Sequence, residues 1–167
     1  MIINIICISL LVFELFIIFK YPNFAETLGI YFSVKSLYII RKTGRTLFTH
    51  NFKKLDNDED LVYSDTFMIG GFISSLGNGL KKAIQLEGEP SLIDIGDYKL
   101  LFKYGKFLIG VLLITAVNEK LKSKLEEFIS KFEEYYESKD IELDRFIHEH
   151  DEDLNNLVDE IFGKFIE

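Results

Sequence analysis

Apolar and polar positions alternate in three distinct rhythms along the chain. Leu37–Ile40 is apolar without interruption, the pattern of a strand covered on both faces. Thr43-Gly44 then predicts a tight turn, and the following residues alternate, with Phe48, His50 and Phe52 on one side and Leu47, Thr49 and Asn51 on the other. Together, residues 36–53 predict a β-hairpin. From Ser64 or Asp65 to about Leu86 the apolar residues Met68, Ile69, Phe72, Ile73, Leu76, Leu80, Ala83 and Ile84 recur every three or four positions, which predicts a helix. After the break at Glu87–Pro90 come three predicted strands, Ser91–Ile95, Tyr98–Tyr104 and Phe107–Ala116, separated by Gly96-Asp97 and Gly105-Lys106. The middle strand alternates, with Tyr98, Leu100, Phe102 and Tyr104 opposite Lys99, Leu101 and Lys103. The last strand is apolar throughout.

Helical spacing returns after Asn118, a predicted N-cap. Leu121, Leu125, Phe128, Ile129, Phe132 and Tyr136 form one stripe, ending near Ser138. A connector at Ile141–Ile147 leads to a last predicted helix from about Asp151 to Phe165, with Leu154, Leu157, Val158, Ile161, Phe162 and Phe165 turned inward. The order β-β-α-β-β-β-α-α predicts an α+β domain with a five-stranded antiparallel sheet, in which the two doubly apolar strands are central neighbours.

The first twenty residues differ from the rest. Ile2–Phe19 is almost wholly apolar, broken by Asn4 and Glu14, and is followed by Lys20, Tyr21 and Pro22. Eighteen such residues reach the lower limit for a membrane span. The expected organisation is therefore an anchor at 1–20, a connector at 21–34 and a domain at 35–167. Lys20 and Lys35 on the C-terminal side orient the domain toward the cytoplasm.

Charge and candidate chemistry narrow the function further. The net charge is −8, which argues against a nucleic-acid partner. Residues 118–167 carry 16 acids against 7 bases, as expected of solvated helical faces. Cys7 is the single cysteine, so no intrachain disulfide can form. The acidic stretch Leu55–Ser64 lacks the ligand order of a calcium loop. His148 and His150 are spaced i, i+2 and leave a helix on different sides, unlike a zinc-binding pair. His50, between two phenylalanines on one strand face, reads as a packed, hydrogen-bonded side chain. LGNGLKK (residues 76–82) lacks the order of a phosphate-binding loop and lies within a helical pattern. No catalytic, cofactor or metal residues are therefore nominated, and the chain is expected not to be an enzyme.

The strings SLYIIRKTGRTLFTHNF, GGFISSL, LIDIGDYKLLFKYGKFLIGVLL and LEEFISKFEEYY, in that order, resemble the longin domain and the related roadblock group, most of all its archaeal versions. The likeness spans about residues 35–165 and rests on element order and apolar pattern. The apolar N-terminus departs from it, because longin-bearing vesicle fusion proteins usually carry their anchor at the other end. The resemblance implies a longin-like (profilin-like) sheet of order 2-1-5-4-3, with the first helix on one face and the later helices on the other. It implies a non-catalytic scaffold in membrane trafficking or small Ras-like GTPase regulation, often dimeric. The partner would be a small GTPase or a second longin- or roadblock-like domain, including another copy. The surfaces it implies are the first helix and the third strand. On them Gly70, Ser74 and Gly77, which share a helix face, together with Lys81, Ser91, Ile93 and Ile95, are the candidate partner-binding residues. The alternative is a membrane-linked sensory ligand-binding domain, which would need a polar-lined pocket.

Overall fold

β1 (Val34–Arg41) is buried along nearly its whole length, and the sheet is laid out on either side of it. The computed structural model describes residues 20, 29–30, 32–52, 71–73, 75–76, 79, 89–139, 142–143, 145, 147 and 150–163. Two compact units are distinguished, residues 1–32 and 33–167. The second contains β1, β2 (Thr46–Asn51), β3 (Leu92–Ile95), β4 (Tyr98–Tyr104), β5 (Leu108–Ile114), α1 (Glu119–Glu137) and α2 (Asp151–Phe162). Residues 71–73, 75–76 and 79, between β2 and β3, are helical. The strands form one antiparallel sheet of order β2-β1-β5-β4-β3, as the longin resemblance implies. β1 and β5, the two doubly apolar runs, are its central neighbours.

Cross-strand pairing sorts the side chains into two faces. Tyr38 lies opposite Val111 and Val111 opposite Phe102, so these share one face with Ile40, Ile109 and Leu100. Ile73 of the helical residues packs into that cluster, so the crossover helix covers this face. The other face belongs to α1 and α2. Gly110 in mid-β5 lets α1 come close, since a Cβ there would lie 2.7 Å from Ile129 and 3.0 Å from Leu125. α1 begins at its predicted cap, with Asn118 Oδ1 accepting from the backbone N–H of Lys120 at 2.8 Å. Its buried residues are Leu121, Leu125, Phe128, Ile129 and Phe132, while Tyr136 is half-buried and meets the edge of Phe107. Each such fully buried apolar side chain contributes ~1.5–3 kcal/mol, so the stripe is a principal source of the helix's stability.

α1 also braces the sheet electrostatically. Glu133 reaches the β4–β5 turn, where its Oε2 accepts from Lys106 N–H at 2.8 Å and its Oε1 from Phe107 and Leu108 N–H at 2.8 and 3.2 Å. Gly105 makes room for this: a Cβ would stand 2.5 Å from Glu133 Oε1. Lys106 pairs with Glu137 and Lys103 with Glu126.

The hairpin turn and the end of the last helix sharpen the sequence reading. The β1–β2 connection, Lys42 to Arg45, turns at Thr43-Gly44 as the sequence predicts. Gly44 N–H donates to Arg41 C=O at 2.7 Å and takes φ 96°, with a register shift at Ile39/Ile40. Glycine is suited to this position because it takes a positive φ without steric cost. The last helix ends at Phe162 rather than at the expected Phe165, which lies outside the described residues. Gly163 takes φ 92°, which ends the helical run. α2 has no basic residue in its last turn, and Lys124 of α1 donates instead to the Ile161 carbonyl.

Candidate interaction surface

β3 is four residues long and forms one end of the sheet. Its hairpin with β4 closes at Gly96-Asp97, where Gly96 takes φ 71°. Ser91 C=O accepts from Phe102 N–H at 2.9 Å. In an antiparallel ladder, hydrogen-bonded pairs alternate with non-bonded ones. Ile93 with Leu100 and Ile95 with Tyr98 are therefore the bonded pairs that follow. Leu92 and Asp94 direct their N–H and C=O groups away from the sheet, into the open edge.

The side chains there are unusually apolar for an edge. Leu92 is 42% exposed, Ile95 50% and Tyr98 41%. Ile93 and Ile95 lie on the crossover-helix face, and Leu92 and Asp94 on the α1 face. Asp94 is held by Lys99 at 2.5 Å, and that hydrogen bond keeps its carboxyl below the usual carboxylate range. Edge strands in soluble proteins are normally protected by charge, bulges or a cover. Here the single charged residue on β3 is already paired within its own hairpin.

Among the described helical residues, Ile73 is buried and Leu76 half-buried, while Gly71, Phe72, Ser75 and Gly79 face outward. Phe72 is 57% exposed. A Cβ added at Gly71 or Gly79 would meet nothing within 4 Å. Close packing on the sheet therefore does not account for glycine at these two positions.

Of the residues nominated from sequence, Ser91 and Ile95 are exposed on β3 and Ile93 is half-buried beside them. Gly70, Ser74, Gly77 and Lys81 lie outside the described residues, as do the apolar run 2–19, the acidic stretch 55–64 and His148. Leu92 and Tyr98 were not nominated. The alternation along β4 places Tyr98 on its apolar face, but opposite the end of the short β3 that face is exposed.

His50 is a packed side chain, as its surroundings in sequence predict. Asn155 Nδ2 donates to the Asp151 carbonyl at 2.9 Å, so Asn155 Oδ1 accepts from His50 Nδ1–H, also at 2.9 Å. Its ring meets Phe52 edge-on with centroids 4.8 Å apart. Among the described residues, no group of histidine, cysteine, aspartate and glutamate is placed to hold a metal ion. Among them too, no helix is long and apolar enough to cross a membrane. Other perturbed groups belong to structural contacts: Glu126 is lowered by its hydrogen bond to Lys103, and Lys131 is raised by those to Glu160 and Glu127.

What this edge can do is pair with another strand. It offers backbone donors and acceptors at Leu92 and Asp94, with exposed aliphatic and aromatic side chains on both sides of them.

No family model matches the chain, and no curated protein matches it. Among solved structures it is similar to Myxococcus xanthus MglB, at 16% identity and a TM-score of 0.46, over 64% of this chain and 85% of that one.

Proposed function

We propose that this protein is a non-enzymatic protein-interaction domain, tethered to a membrane through residues 2–19, that serves as a scaffold or regulator for small Ras-like GTPases. The observation that carries the reading is the outer edge of β3, with Leu92, Ile95 and Tyr98 exposed and the outward backbone of Leu92 and Asp94 without a partner strand among the described residues. His50 is engaged in a packing and hydrogen-bonding contact with Asn155, which fits a structural role for that side chain. The GTPase assignment rests on the longin resemblance of residues 35–165, and the tether on the apolar run and its cytoplasm-orienting lysines.

Two experiments test it. The full chain, immobilised in mild detergent, is exposed to purified small Ras-like GTPases in GDP- and GTP-loaded forms and to longin- and roadblock-like domains. Capture of at least one supports the reading, and capture of none of them overturns it. Fractionation of the full chain beside a chain starting at Phe32 tests the tether. The full chain should be found with membranes and the shorter one in the soluble fraction; both soluble would remove the anchor.

A further inference from the structure

We infer that the end of the sheet at which the chain enters β1 rests on the bilayer surface, with Ile95, Tyr98 and Val117 among the lipid headgroups. This rests on the tether of the proposed function and adds a second contact, made by the domain itself.

Antiparallel pairing gathers these residues at one end. Val34 opens β1 opposite Ile114, the last residue of β5, and Lys99 near the start of β4 pairs with Ile114 from the other side. Ile95 closes β3 opposite Tyr98, and Gly96-Asp97 turns beside it. Just past β5, Thr115 N–H donates to the Ser33 carbonyl at 2.9 Å, so Ala116 and Val117 leave the sheet next to the entering chain. Ile95 is 50% exposed, Tyr98 41% and Val117 46%. Leu92 pairs with Leu101, farther from this end, and is not part of the patch. Aliphatic side chains beside a tyrosine suit the headgroup level of a bilayer, where amphipathic rings concentrate.

The tether supplies the proximity. Residues 20–33 are all that separate the apolar run from β1. Residues 20, 29–30 and 32–33 are helical, and a helical residue advances the chain ~1.5 Å against ~3.3 Å in a strand. The opposite end of the sheet lies the whole of β1 farther on, 8 residues at ~3.3 Å each. A weak apolar surface suffices at the near end, because a tethered domain meets the bilayer at high effective concentration. The charges along α1 agree. It starts at this end with Glu119 against Lys120, Lys122 and Lys124, and finishes at the other with Glu133, Glu134 and Glu137 and no basic residue in its last turn. α1 thus turns its basic end toward anionic lipid and its carboxylates away. The opposite end carries Arg41, Lys42 and Arg45 around the β1–β2 turn, but its exposed aromatic, Tyr135, already has Lys139 over its ring at 5.3 Å.

The chain has no tryptophan, so one introduced by substitution reports alone. Tyr98→Trp, Val117→Trp and, as a control from the opposite end, Tyr135→Trp are made in the full chain and reconstituted with vesicles of phosphatidylcholine and a minority of phosphatidylglycerol. Flotation on a density gradient checks the tether, and circular dichroism identical to the parent checks the fold. Tryptophan at positions 98 and 117 should emit at shorter wavelength on reconstitution and be quenched by lipid bearing a doxyl group close to the headgroup. Tryptophan at position 135 should do neither. Flotation with position 98 or 117 unquenched, or with all three positions quenched alike, overturns this inference and leaves the tether. A shift to shorter wavelength without lipid quenching overturns it too, and means that protein, a second copy included, covers the patch. A chain that fails to float removes the tether and this inference with it.

Discussion

At one end of the sheet, β2 has its Phe48, His50 and Phe52 side closed by α2; at the other, β3 leaves Leu92, Ile95 and Tyr98 in water. Both are outer strands of one antiparallel sheet. The difference lies in what the C-terminal helices reach. Phe162 of α2 meets Phe52 edge-on with centroids 5.4 Å apart and also contacts Phe128, while Asn155 accepts from His50. α1 lies over β4 and β5, where its Glu126 pairs with Lys103 of β4. The β2 edge is thus built into the core. The β3 edge has the apolar character of a core strand without the cover, which is how an interaction surface differs from a structural one.

The comparison can be broken most sharply by truncating one aromatic at each edge. Phe162→Ala should cost about 3–5 kcal/mol, as for other large core aromatics, read as a lower midpoint in urea unfolding. Tyr98→Ala should fall within about 0.5 kcal/mol under conditions where the chain is monomeric, the range for surface sites. Equal losses at the two positions would mean that the β3 edge is covered as fully as β2. A smaller effect is expected where the helices brace the strands leading to the open edge. Glu133→Gln removes a charged acceptor from three backbone N–H groups and should cost about 1–3 kcal/mol in the same assay, with the β4–β5 turn exchanging its amide hydrogens faster than β1.

The smallest effect is a pH dependence on the open side of the sheet. Burial pushes the Tyr104 phenol up to about 12, and the Glu89 carboxylate adds to this. The folded protein therefore holds that proton more tightly than the unfolded chain, whose tyrosines titrate near ~10. The stabilisation is fully present below pH ~10 and is lost as pH rises from there toward 12. Unfolding midpoints followed across that window should fall more steeply in the parent than in Tyr104→Phe. Matching slopes would show that water reaches Tyr104 as freely as it reaches Tyr98.

Much of this fold can be read along the chain because its elements are defined by local periodicity. The uninterrupted apolar runs at 37–40 and 107–116 mark β1 and β5 as doubly covered, and the structure makes them the central pair. Asn118 caps α1 as its side chain predicts, and Leu121 to Phe132 form the buried stripe. Less legible were the ends. α2 ends at Phe162, where Gly163 takes φ 92°, whereas the apolar pattern runs on to Phe165. The β1–β2 register shift between Ile39 and Ile40 is likewise not announced by the alternation along β2.

Local pattern thus determined where the strands and helices lie, which residues face inward and that His50 is a packing group, since a strand's or helix's periodicity is written in neighbours two to four positions apart. Only the tertiary structure decided which of the two outer strands would be covered. That choice depends on where α1 and α2 come to rest, through Phe162 on Phe52 and Glu133 on the turn at Lys106 to Leu108, contacts that join residues far apart in the chain. Leu92, Ile95 and Tyr98 are as apolar as many core residues. Their exposure follows from the reach of helices whose sequences lie elsewhere, and no periodicity within β3 encodes it.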